Sequence, residues 1–139
     1  MRDRPMMGRP RHPRLVRLEP TITLLGHRCR RCDRRAFPPD PYGCEGCGAD
    51  ADQLDPVDLR PAGVIHALAT VHRHHRELPA TPFTVATIVL DDGITLKAIL
   101  EPDGGDTEPA IGDRVTAVAV PGPPDDDGDH VVDLSFQRR

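Results

Sequence analysis

Three observations predict an all-β chain organised around a metal. Four cysteines fall into two C-x-x-C pairs, Cys29/Cys32 and Cys44/Cys47. Beyond Gly63, five short apolar stretches alternate with period two, the pattern of half-buried strands. No segment shows a sustained helical period. The predicted fold class is therefore an N-terminal rubredoxin-like zinc ribbon followed by a five-stranded OB-fold barrel. At 139 residues the chain is long enough for one ordinary domain, or for two very small units sharing a core.

Taken in order, residues 1–20 are rich in Arg and Pro, and Pro5, Pro10, Pro13 and Pro20 break any helix. They read as a flexible basic arm. Residues 21–60 read as the ribbon, with the apolar stretch from Ile22 to Arg28 leading into the first cysteine pair. Residues 50–58 read as an acidic linker, and Pro61-Ala62-Gly63 as the boundary. Residues 61–139 read as the barrel. Its strands are expected at Val64–Arg73, Phe83–Leu90, Ile94–Leu100, Arg114–Val120 and Val131–Phe136. In the first, Ile65, Ala67, Ala69 and Val71 share a face; in the last, Val132, Leu134 and Phe136 point inward. Asp91-Asp92-Gly93 joins the second and third as a tight hairpin, because Asp-Gly supplies the positive φ such turns need.

Net charge is −4 and unevenly spread. Residues 1–35 hold eleven arginines and three acidic residues, whereas the remainder holds seven basic and nineteen acidic ones. A basic head on an acidic body points to an anionic partner near the head, not to a globally basic nucleic-acid binder. No stretch approaches the roughly 20 apolar residues of a membrane span. The N-terminus has positive charge without an apolar run after it, so it does not read as a signal peptide. Cysteines in such a chain are expected reduced and cytoplasmic, which favours a metal over disulfides.

Each C-x-x-C pair forms a knuckle whose two thiolates converge on one ion. Two knuckles complete a tetrahedral S₄ site with bonds of about 2.3 Å, the geometry zinc accepts. All four positions are taken by protein, so the expected Zn²⁺ is structural and has no vacancy for an activated water. Some of Arg28, Arg30, Arg31, Arg34 and Arg35 are needed simply to balance the charge of four thiolates.

The order of motifs carries a resemblance. The ribbon holds Phe37-Pro38-Pro39 between its knuckles and is followed by Gly63-Val64-Ile65 and Thr70-Val71-His72. Then come Pro82-Phe83-Thr84-Val85-Ala86, Leu90-Asp91-Asp92-Gly93 and Ile111-Gly112-Asp113-Arg114-Val115. Over about residues 22–137 this succession resembles the DUF35 family, acyl-CoA-associated proteins made of a zinc ribbon and an OB-fold. The resemblance implies a non-catalytic companion of a thiolase-superfamily enzyme (a thiolase, an acyltransferase or a lipid-transfer-type retro-aldolase), which bridges or stabilises its partner and helps form the acyl-CoA channel. It also implies an α₂β₂ assembly, since such partners are usually dimers. Arg30, Arg31, Arg34 and Arg35, beside the apolar Phe37, Pro38 and Pro39, are then the candidates for acyl-CoA phosphates or partner docking. One feature departs from the family: many members carry an aromatic-bearing amphipathic helix before the ribbon, where this chain has Arg9-Pro10-Arg11-His12-Pro13.

Other constellations carry less. His72, His74 and His75 lack a nearby acidic or thiol ligand set and read as a solvated loop. Asp91 and Asp92 read as turn caps rather than a catalytic dyad. The cysteines are committed, so no nucleophile with an adjacent base can be drawn. Zinc ribbons and OB-folds also bind nucleic acid, the alternative reading. It needs aromatic stacking platforms, and the whole chain has only Phe37, Tyr42, Phe83 and Phe136, of which Phe83 and Phe136 read as core, while the barrel half is acidic.

Overall fold

The computed structural model describes residues 8–76 and 79–139. Among them, ten strands form two sheets: β1 (Arg9–Pro10), β2 (Val16–Arg17), β3 (Thr23–Cys29), β4 (Arg35–Ala36), β5 (Leu54–Leu59), β6 (Ala62–Val71), β7 (Phe83–Leu90), β8 (Thr95–Glu101), β9 (Arg114–Pro121) and β10 (Val131–Arg138). The only helical element among the described residues is a single 3₁₀ turn at Ala51–Gln53. No helix there is long and apolar enough to cross a membrane.

The larger sheet closes on itself. Its order is β10-β8-β7-β6-β9, with β9 returning to pair β10. All these pairings are antiparallel except β8 with β10. This is the five-stranded barrel the sequence predicts, with strand limits within two residues of expectation. The β7–β8 hairpin is tied by the Gly93 N–H to the Leu90 carbonyl (2.8 Å) and the Leu90 N–H to the Ile94 carbonyl (2.8 Å). Gly93 sits at φ +87°, where a side chain would be strained.

The alternation expected along β6 fails at one place. A register shift between Ile65 and Ala67 leaves His66 as an extra residue. Beyond this bulge the faces exchange: Leu68 packs on the core while Ala67 and Ala69 are exposed. One inserted residue reverses every later side chain in a period-two element, so Ala67 and Ala69 do not share the buried face of Ile65.

Two further expectations are corrected. The supposed acidic linker contains β5, which pairs β3 over six residues from Leu24↔Leu59 to Cys29↔Leu54. Asp52, Asp55 and Asp58 obscured Leu54, Val57 and Leu59, and Pro56 is tolerated because β5 pairs on one side only. Part of the supposed arm is also structured. Residues 1–7 lie outside the described residues, but β1 pairs β10 and β2 pairs β3. Arg11 donates to Asp133 (Nε–Oδ1 2.6 Å) and to the Pro123 carbonyl (2.6 Å). Arg9 pairs with Asp125, and Arg17 with Asp58 at 2.6 Å. The basic head thus finds part of its anionic partner in its own chain.

The ribbon sheet and barrel share one core. Leu24 of β3 and Leu59 of β5 cluster with Ile65, Ala86, Ile88, Leu90, Leu100, Val115, Ala117 and Phe136. A smaller cluster of Cys29, Cys44 and Ala49, with Cys47 and Leu54 against it, lies at the ribbon tip. Burying apolar area from both sheets in one volume lets each offset the other's small size.

Candidate metal centre and the cleft beside it

Strand β3 delivers Cys29 at its end, and the chain turns at once. The Asp33 N–H bonds the Cys29 carbonyl (2.8 Å), and the Cys29 N–H returns to the Arg34 carbonyl (2.9 Å). The second knuckle repeats the arrangement, with the Gly48 N–H on the Cys44 carbonyl and the Cys44 N–H on the Ala49 carbonyl, both 2.9 Å. Asp33 (φ +68°) and Gly48 (φ +78°) occupy equivalent left-handed positions, which Gly and Asp adopt more readily than branched residues.

These turns bring the four sulfurs within 4.8 Å of one another. Cys29 and Cys47 are 3.7 Å apart, and Cys32 and Cys44 3.5 Å. Four bonds of about 2.3 Å to a central ion require sulfur–sulfur edges of roughly 3.8 Å, so the donor set fits a tetrahedral metal. The backbone prepares the thiolates. N–H groups of Cys32 and Arg31 face the Cys29 sulfur and lower its pKa, and those of Cys47 and Gly46 lower Cys44 to about 7. Cys32 goes up, to about 12: the Arg34 N–H lowers it, but burial and the neighbouring thiols outweigh that donor. Sulfurs this close cannot all ionise until a cation joins them, so metal binding and deprotonation are coupled. The four cysteines are placed to hold a metal ion as a four-thiolate centre, an arrangement compatible with a structural site.

The arginines expected beside the site do not act as one cluster. Arg30 turns to the Asp52 carbonyl and to Asp55 (3.3 Å). Arg28 pairs with Asp33. Arg31 is exposed, and no ion pair is found for it among the described residues. Arg34 and Arg35 instead lie along a cleft of about 740 Å³ between ribbon and barrel, lined also by Phe37, Pro38 and Pro39 and by Ile94 of the β7–β8 hairpin. Arg34 meets Glu45 at 3.5 Å and Arg35 meets Asp92 at 3.8 Å, long separations that leave both guanidinium groups loosely held. The cleft also exposes Asp33, Asp40, Glu45 and Asp92, so its lining is not simply cationic.

Sequence reasoning missed His27, which lines the same cleft. It is 5% exposed on β3, and neither ring nitrogen has a hydrogen-bond partner among the described residues. A buried unpaired polar group is uncommon in a native interior. A lone His in an apolar stretch gave no signal, and only the structure puts it in the middle of the ribbon sheet, between Ala36 of β4 and Pro56 of β5.

The remaining acidic turns are structural. Asp91 grips Arg114 in a two-pronged ion pair (2.8 and 3.1 Å), and Asp92 accepts the Arg60 backbone N–H at 3.0 Å. His74 stacks edge-on against Phe83 with ring centres 5.4 Å apart.

Fold and site together define a class: a small all-β protein in which a ribbon with four clustered cysteines, able to hold a metal, is joined to an OB-fold barrel. Among solved structures, the chain is similar to one in the Ltp2-ChsH2(DUF35) aldolase, at 23% identity and a TM-score of 0.62 over 84% of each chain. It is also similar to a protein of unknown function from the DUF35 family of Sulfolobus solfataricus, at 19% identity and a TM-score of 0.49, over 81% of this chain and 76% of that one. The first likeness establishes a shared fold. No protein-family model matches the sequence, and no curated protein matches it significantly.

Proposed function

We propose that this chain is a DUF35-type accessory subunit that binds a thiolase-superfamily partner in the cytoplasm and helps form its acyl-CoA site, without performing chemistry itself. The observation that carries this reading is the common architecture, ribbon and barrel together, over 84% of a chain in an aldolase whose name includes a DUF35 component. The resident ion in this reading is Zn²⁺, held by Cys29, Cys32, Cys44 and Cys47. Its contribution is to fold the ribbon tip.

The chemistry of the side chains supports a non-catalytic role. The four thiols belong to one saturated centre, and Asp91 and Asp92 are bound by Arg114 and by backbone. For the acyl-CoA, Arg31 offers a guanidinium with no ion pair among the described residues, and Arg34 and Arg35 can exchange long internal pairs for phosphate. Phe37, Pro38 and Pro39 supply an apolar wall, and the nearby Tyr42 side of the cleft is open, with that residue 91% exposed.

Co-expression with thiolase-superfamily chains of the same genome tests the proposal. The tagged protein should retain one of them through purification as an α₂β₂ complex. Arg34→Glu with Arg35→Glu should then raise KM for the acyl-CoA or weaken the complex at least several-fold, with zinc content unchanged. A double variant that loses zinc first would mean these arginines only balance the thiolates. If partner binding, zinc and KM are all unaffected, the ribbon is not the docking or ligand surface.

A further inference from the structure

Among the described residues the barrel leaves strand edges open along β8 and β6, and of these two only that of β8 carries a charge. β8 pairs β7 along Thr95–Leu100 but meets β10 only at Leu100 and Glu101, so residues 95–99 present a free edge. That edge carries Lys97, the only lysine in the chain, exposed at its middle. A charged residue, Lys above all, is how native sheets block unwanted strand addition.

The outer edge of β6 has no such guard. β9 covers only Ala62–Val64, and the loop before β9 covers Ile65, whose N–H bonds the Asp113 carbonyl (3.0 Å) and whose carbonyl accepts the Gly112 N–H (2.9 Å). From Ala67 to Val71 the strand pairs β7 on one side and nothing on the other among the described residues. The segment Ala67-Leu68-Ala69-Thr70-Val71 contains no charge, no Pro and no Gly, and Ala67, Ala69 and Thr70 are exposed. A bare, uncharged edge of five residues is a template for an added strand.

Charge at the two ends of this edge selects the occupant. Past Val71 the chain is basic, with Arg73 and Arg76 among His72, His74 and His75. At the Ile65 end, the loop that supplies Gly112 and Asp113 carries Asp106, Glu108 and the 69%-exposed Ile111. A second copy pairing antiparallel about a two-fold axis sets each basic end against the other copy's acidic loop. Parallel pairing would set like ends together. Near Ala69 the two-fold register opposes only small or apolar side chains, with no like charges facing.

We propose that two copies of this chain associate through antiparallel pairing of Ala67–Val71 in β6, extending one barrel sheet into the other across a two-fold axis. Such an interface is self-complementary and closes at the dimer. It also places two copies in one assembly without using the ribbon cleft.

Light scattering on the purified full-length chain at several concentrations tests this. The expected mass is twice the 15.2 kDa of the monomer. Ala69→Lys and, separately, Thr70→Lys put a charge on opposite faces of the edge and should each return the monomer mass, with zinc content and circular dichroism unchanged. Hydrogen exchange should show amides of Leu68–Val71 protected in the wild-type protein and exchanging faster in both variants. A wild-type protein that stays monomeric to about 100 µM, a concentration far above a specific dimer's usual dissociation constant, overturns the proposal. So does a dimer that both folded variants retain.

Discussion

Cys44 shows how much one residue can carry. Its sulfur accepts the Gly46 N–H at 3.3 Å, its backbone closes the second knuckle, and it is buried at the ribbon tip. The purified protein should hold about one zinc per chain, as a four-thiolate site requires. Cys44→Ser should bring that well below one by metal analysis. Because Leu24 and Leu59 sit in the barrel core, chelation should lower the melting temperature of the whole chain and not of the ribbon alone. Folded protein with four titratable thiols and no metal would contradict the assignment. His27 makes the opposite case. Its two unpaired ring nitrogens mean that His27→Leu should stabilise the isolated chain by about 1 kcal/mol in chemical denaturation, since removing a buried unsatisfied polar group relieves its desolvation cost. A clear loss of stability would show that the imidazole has a partner. The cysteines were legible because their chemistry depends on spacing; His27 was not, because burial depends on which strands flank it.

Among the elements, the barrel strands were legible wherever one face is buried and the other wet. β7 matches its expected limits, and Leu96, Ala98 and Leu100 of β8 alternate inward as the pattern implies. β6 was legible only up to its bulge, since nothing in the sequence marks His66 as the inserted residue. β5 was hidden by its own acidity, and the supposed arm by its prolines, one of which, Pro10, falls in the edge strand β1. Ion pairs then fasten these elements. Asp91 is held below the usual carboxylate range first by its bond to Arg114, and Asp103 first by its bond to Arg138. Asp125 is lowered first by the Asp129 backbone N–H, with Arg9 adding to it. A depressed carboxylate stabilises the fold above its unfolded pKa of about 3.9 and loses that contribution as pH falls through the folded value. Stability measured by denaturation should therefore hold through neutral pH and fall below about pH 4. High salt should weaken the same exposed pairs. Stability that does not change on acidification would mean these pairs contribute nothing.

For the whole molecule, the uneven charge has an internal explanation. Arg9, Arg11 and Arg17 meet Asp125, Asp133 and Asp58 of the acidic half, so much of the basic head is already neutralised. Among the described residues of the head, Arg14 and Arg31 have no ion pair, and Arg34 and Arg35 are loosely paired along the cleft with its apolar rim. In the proposed accessory role, a partner docking on the cleft would meet a surface held in place by the core that ribbon and barrel share. The proposed accessory role is tested most directly by reconstitution. The thiolase-superfamily partner is purified alone and titrated with this chain while acyl-CoA turnover is followed. This chain alone should give no turnover, the partner alone little, and together a rise that saturates at one copy of each. Turnover by this chain in a preparation free of any other protein, or a partner whose rate is indifferent to it, would contradict the account.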